Sequence, residues 1–145
     1  MELKYCGPSG GDGGEEFSDR VGPQDCQVIE VHIYAQQQVN GVQIIHETCD
    51  GRRHPFPLRG RANGDCHTLK LAADEFIISI SGRVSRHVDS IRIQTNKQLS
   101  PLLGAKDGKR MYRYEVPSGA EIVGLCGRAG DNLDAIGVIM RRRGL

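Results

Sequence analysis

The chain has 145 residues, 38% of them apolar and 26% charged, with a formal net charge of +1. That length suits a single domain spanning residues 1–145, able to bury roughly 70% of the surface of its extended chain, and the near-neutral charge supplies no overall drive toward nucleic acid or a membrane surface. No apolar run approaches the ~18 residues of a membrane span and Met1-Glu2-Leu3-Lys4 does not open a signal peptide, so the expected location is the cytoplasm, or outside the cell by a route without a signal peptide.

In chain order, Glu2 to Cys6 reads as a short strand and runs into the glycine-rich stretch Gly7 to Phe17, where the backbone is free to approach a ligand or another strand closely. Gln27 to Tyr34 alternates, with Ile29, Val31 and Ile33 on one face and Glu30, His32 and Tyr34 on the other, the period-two pattern of a half-buried strand. Val42 to Glu47 continues as a strand to Cys49-Asp50-Gly51. Arg52 to Arg61 is a basic, proline-broken loop. Further strands are expected at His67–Leu71, Phe76–Ser81, Ser90–Gln94, Met111–Val116 and Glu121–Leu125, with a glycine loop at Gly104–Lys109. The final loop and strand, Gly127 to Met140, carry a glycine and a carboxylate four residues apart, Gly130 and Asp134, leading into apolar alternation. Arg141 to Arg143 extend this last strand. Positive charge there either discourages strand addition at an edge or forms an anionic docking patch.

The final loop has two upstream copies. Ser81 to Ile91 aligns with Cys126 to Ile136, placing Asp89 opposite Asp134, and Gln36 to Val42 places Asn40 at the same position. The glycine loops repeat as well: Gly10–Gly14, Gly60–Gly64 and Gly104–Gly108 each enclose an Asp or Asn between glycines. Both series share a period of about 47 residues, in the range of repeat architectures. No stretch of helical periodicity competes. An all-β fold of three antiparallel sheets about a common axis follows, a pseudo-threefold repeat around one apolar core.

Asp134 stands at the mouth of a strand, where a carboxylate accepts hydrogen bonds from two neighbouring hydroxyls. The N–H groups of Asp131 and Asn132 in a glycine-initiated turn, and of Gly14 if the first loop folds over the last, are matching donors. A vicinal diol fits that array. Equally, Asp134 and Asp89 could cap their turns, with the glycines serving only the turns; spacing alone leaves both readings open.

Other chemistries find less support. The Arg52–Arg61 loop could bind a polyanion or nucleic acid, with Phe56 as a stacking platform, or be a solvated loop. Cys49, His54, Cys66 and His67 lack paired metal-ligand spacing, so no metal or other cofactor is expected. The five cysteines are read as reduced and mostly structural. Asp65, Cys66 and His67 are adjacent on a strand and face opposite sides of a sheet, a poor catalytic constellation, and no enzymatic activity is expected.

Over nearly its whole length the chain resembles the jacalin-related lectins, of the mannose-binding type. Gly7-Pro8-Ser9-Gly10-Gly11-Asp12-Gly13-Gly14 with Phe17 and Asp19 is similar to that family's opening glycine loop, Gly127 to Val138 to its closing GXXXD ligand loop, and Thr95-Asn96 follows a strand as in the family. The resemblance implies a β-prism I fold and binding of a sugar without metal or catalysis. It implies a site of Gly14, Gly130, Asp131, Asn132, Leu133 and Asp134, with the Asp134 carboxylate accepting from the sugar O4 and O6 hydroxyls. Relatives that use several loops carry a glycine and an aspartate in each. Here Gln36 and Asn40 replace them in the first repeat, and Ser85 replaces the glycine in the second, where Arg86 and His87 crowd the turn. One good site is expected, with a weaker second one around Asp89, His87 and Arg86. The continuous chain and the loop residues Asp131 and Asn132 favour mannose or glucose over galactose. With no tryptophan, a monosaccharide affinity on the order of 0.1 to 10 mM is expected, so avidity calls for a homo-oligomer, a dimer or higher.

Overall fold

The computed structural model describes residues 2–144; Met1, the first residue of the opening tetrapeptide read above, and Leu145 lie outside them. Every regular element is a strand: β1 (Leu3–Gly10), β2 (Glu15–Ser18), β3 (Asp25–Ala35), β4 (Val39–Thr48), β5 (Arg53–Pro55), β6 (Arg59–Gly60), β7 (Asp65–Lys70), β8 (Ile77–Val84), β9 (Val88–Thr95), β10 (Leu103–Gly104), β11 (Arg110–Glu115), β12 (Ala120–Ala129) and β13 (Leu133–Arg142). Each repeat is built on one long hairpin, β3–β4, β8–β9 or β12–β13, flanked by shorter strands. Hydrogen bonding groups them into an eight-stranded and a five-stranded sheet. The larger sheet is two faces, β1-β13-β12-β2 and the β8–β9 hairpin with β10 and β11, joined through the pair Ile122–Ile77. Three antiparallel faces therefore surround one core.

The alternating β-branched residues explain this arrangement. Ile33, Val42, Ile44, Ile80, Ile91, Ile93, Ile122, Leu125, Leu133 and Ile136 are buried in one cluster drawn from all three faces. At roughly 1.5–3 kcal/mol for each fully buried aliphatic side chain, no face could be stable without the other two. One expectation is corrected in β3. The register slips between Val28 and Glu30, so Ile29 is the extra residue of a bulge. Val28 enters the core, while Ile29 is half-buried.

The carboxy-terminal arginines also differ from expectation. Strand β13 is not an edge, because β1 and β12 pair with it on either side. Arg141 ties its end to the first repeat, donating from Nη1 to the Asp25 carbonyl at 2.6 Å and pairing with Glu121 at 3.6 Å. Arg143 lies over the Phe76 ring. Nearby, Cys26 and Cys49 form a disulfide, so two of the cysteines read as reduced are paired; Cys6, Cys66 and Cys126 are free. Their positions 23 residues apart were brought together by the β3–β4 register, which alternation alone does not fix.

Candidate functional site

The three hairpin turns are built alike. In each, the first turn residue donates to the carbonyl of the third: Gln36 to Gln38 (3.1 Å), Ser85 to His87 (2.9 Å) and Gly130 to Asn132 (3.0 Å). Two residues beyond each turn stand Asn40, Asp89 and Asp134. Their carbonyls accept from the glycine loops: Arg61 N–H to Asn40 (2.9 Å), Ala105 N–H to Asp89 (2.8 Å) and Gly11 N–H to Asp134 (2.9 Å). The repeated Asp or Asn thus has a structural duty in all three repeats, performed by its backbone. The side chains are free to differ, and they do.

In the first repeat the carboxamide of Asn40 is satisfied internally. Its Nδ2 donates to the Asn63 carbonyl at 2.9 Å and its Oδ1 accepts from Gln38 Nε2 at 3.3 Å. In the second, Asp89 is 8% exposed. Its Oδ1 accepts from Ser85 Oγ at 3.2 Å and lies 3.1 Å from His87 Nε2, while Oδ2 is buried without a partner. The residues expected of a second site, Asp89 and His87, therefore face each other, and Arg86 projects outward.

The third repeat is different: among the described residues no group donates a hydrogen bond to the half-buried Asp134 carboxylate. Burial pushes its carboxyl up, the positive charges of His87 and Arg128 pull it back, and Asp131 adds to the rise. The amino-terminal glycine loop lies directly on it. A Cβ at Gly13 would stand 2.9 Å from Oδ1, and one at Gly14 would stand 2.6 Å from Oδ2. Gly130 approaches the same point, its Cβ position being 3.4 Å from the Gly14 Cα. The N–H groups of Gly14, Asp131 and Asn132 make no hydrogen bond to another backbone group among the described residues. Leu133 contributes backbone only, because its side chain is wholly in the core. An acceptor-only anion without donors, beside free N–H groups, is an array that two hydroxyls of one sugar ring would complete.

Two residues hold this array although neither was among those expected to form the site. Arg128 donates to the carbonyls of Gly13 (3.1 Å) and Gly14 (2.8 Å), clamping the first loop onto the last. Arg61, from the first repeat, pairs with Asp131 at 2.7 Å. Both contacts join segments far apart in the chain, and no local pattern announces them.

The Arg52–Arg61 loop is not an open cationic patch. Arg52 pairs with Asp50, Arg53 with Glu30, Arg59 with Asp19 and Arg61 with Asp131. Phe56 is no stacking platform either: it is 4% exposed and packs between His46 and His54, with ring centroids 4.8 and 5.0 Å away. Cys49 is committed to Cys26, and among the described residues no three His, Cys, Asp or Glu side chains are grouped to hold a metal ion. Cys66 and His67 lie side by side on β7 opposite Tyr34 and Ile33, as strand alternation requires.

Residues 6–139 match the family model of the jacalin-like lectin domain. The chain belongs to the jacalin-like lectin family. It is 31% identical over 137 residues to Horcolin of Hordeum vulgare subsp. vulgare, covering 90% of this chain and 92% of that one. The Agglutinin of Castanea crenata is 32% identical over 92% of this chain and 45% of its own length. Among solved structures, a mannose-binding lectin from Champedak superposes with a TM-score of 0.85 at 25% identity, over 97% of this chain and 98% of that one. The three faces are those of a β-prism, and this jacalin-like lectin domain is a carbohydrate-binding module rather than an enzyme.

Proposed function

We propose that the chain binds mannose- or glucose-type sugars at one principal site. Gly14, Asp131 and Asn132 donate from the backbone, with Gly130 and Leu133 shaping the turn, and the Asp134 carboxylate accepts from two sugar hydroxyls. The observation that carries this reading is the asymmetry among the repeats: Asn40 and Asp89 are engaged internally, whereas the Asp134 carboxylate has no donor among the described residues. The Champedak relative is by its own description mannose-binding, which favours mannose.

A site of a few solvent-facing hydrogen bonds holds a monosaccharide only weakly, on the order of 0.1 to 10 mM. Useful avidity then comes from a homo-oligomer or from branched glycans that engage several chains. Of the two locations expected, the Cys26–Cys49 bridge favours the extracellular one, since disulfides persist in oxidising surroundings. The test is titration with methyl α-mannoside, followed by amide NMR shifts, on the wild type and on Asp134→Ala, with methyl α-galactoside as control. Shifts at Gly14 and residues 131–134 that vanish in the variant support the site. Absence of any response at tens of millimolar refutes it.

A further inference from the structure

The glycine loop that covers Asp134 also touches the second repeat. Gly11 packs on the backbone of Arg86, where an added Cβ would stand 2.6 Å from the Arg86 carbonyl carbon. Arg110 donates from Nη2 to the Gly10 carbonyl at 3.3 Å. Between these elements runs a cleft of about 560 Å³ whose lining includes Asp134, Arg86 and Arg110. A neighbouring cleft of about 370 Å³ continues past Arg86 to Lys109. Strand pairing creates the cluster: Arg110 sits opposite Val84, so the start of β11 is held beside the Ser85–His87 turn.

The charges here differ from those of the Arg52–Arg61 loop. Each arginine of that loop faces a carboxylate, whereas among the described residues Arg86, Lys109 and Arg110 form no ion pair. His87 is committed to Asp89. Besides Asp134, the acidic residue on the larger cleft is Asp12, in the glycine loop. Among the described residues the cleft therefore carries both an acceptor without a donor, Asp134, and cations without ion pairs, Arg86 and Arg110. A neutral hexose uses only the acceptor.

We propose that Arg86, Lys109 and Arg110 form an anion subsite beside the sugar site, which takes an oxyanion carried by the next residue of a glycan whose hexose lies on Asp134. The inference rests on the sugar site proposed above and narrows its ligand to acidic glycans bearing a sulfate ester or a carboxylate. Guanidinium groups suit both oxyanions, because their planar N–H forks match them in charge-assisted hydrogen bonds.

The experiment compares three disaccharides by calorimetry: a neutral α-mannobiose, the same sugar sulfated on its second residue, and mannosyl-glucuronic acid. The first two differ only by the sulfate ester, and the third separates a carboxylate from a sulfate. At low salt a charged disaccharide is expected to bind on the order of tenfold more tightly than the neutral one, and the preference should shrink between 50 and 500 mM salt, roughly the range over which screening shortens below 10 Å. In Arg86→Gln/Lys109→Gln, with its fold checked by NMR, the ratio of charged to neutral affinity falls toward one, Arg110 being retained because it also holds the Gly10 carbonyl. In Asp134→Ala both kinds of binding are lost. Equal affinities in the wild type, a ratio retained in the double variant, or charged binding undiminished in Asp134→Ala each overturn the subsite. Failure of methyl α-mannoside and neutral mannobiose to bind the wild type instead overturns the sugar site on which it rests.

Discussion

Gly14 and Asp134 meet from opposite ends of the chain, so closely that a Cβ on Gly14 would lie 2.6 Å from Asp134 Oδ2. Gly14 also holds φ at +66°, a left-handed conformation that costs other residues about 1 kcal/mol or more. Gly14→Ala should therefore lower the melting temperature by roughly 2–4 °C, the response of a domain of this size to about 1 kcal/mol. It should weaken methyl α-mannoside binding at least about tenfold by displacing the loop from the carboxylate. A thermal melt and an NMR titration check the two effects separately; unchanged binding would remove the glycine loop from the site.

Asp134→Asn separates binding from stability. Loss of the charge from the acceptor proposed to take two sugar hydroxyls should weaken sugar binding by more than about tenfold. Stability should move the other way. Burial raises the folded carboxyl above its unfolded value, so folding favours the protonated form, and that advantage fades as pH rises through the folded pKa. The Asn variant should melt higher than the wild type at pH 7, and the difference should close on acidification. By the same shift, wild-type sugar binding should fall away at a pH above that at which an ordinary aspartate titrates.

Arg59 and Asp19 fasten the amino-terminal segment to the first repeat. Asp19 is 2% exposed, accepts from Arg59 Nη2 at 2.8 Å and from the Leu125 N–H at 3.0 Å. Burial still pushes its carboxyl up despite these partners. Arg59→Gln strands a buried carboxylate and should cost about 3–5 kcal/mol in urea denaturation at pH 7. Because the stranded carboxyl protonates more readily when folded, the penalty should diminish as pH falls.

The Cys26–Cys49 bridge closes a loop of 23 residues. Cys26→Ser/Cys49→Ser should lose about 3 kcal/mol, the chain-entropy value for such a loop. Because the bridge joins the ends of β3 and β4 remote from the Gln36–Gln38 turn, methyl α-mannoside binding should not change. A wild-type melting temperature insensitive to reductant would count against the bridge.

Asp89 differs from Asp134 mainly in being filled by its own turn. Ser85→Gly/His87→Ala removes both of its side-chain partners while keeping the Ala105–Asp89 backbone bond. Calorimetry with methyl α-mannoside should then report a second, weaker site. A stoichiometry still at one would assign the block to the Arg86 side chain or to Gly108, whose Cβ position lies 2.6 Å from Asp89 Oδ2.

Period-two alternation, the glycine loops and the repeated spacing of Asn40, Asp89 and Asp134 determined the strands and their threefold arrangement in three sheets, because each is written in short local patterns that recur along the chain; the β-prism and the candidate site loop were legible through the family resemblance of Gly7 to Gly14 and Gly127 to Val138. What the tertiary structure decided is what those side chains meet. It fills Asn40 from its turn and from the Gly60–Gly64 loop and Asp89 from its turn, and it spends the arginines of residues 52–61 on carboxylates, while among the described residues the Asp134 carboxylate has no donor and Arg86, Lys109 and Arg110 have no ion pair. It also inserts the bulge at Ile29 and brings Cys26 to Cys49. These outcomes depend on register and on contacts such as Arg61–Asp131 and Arg128–Gly14, between segments that become neighbours only when the three faces close on the core. Hydrophobic alternation fixes which face of a strand is buried, but not which polar partner waits across the gap.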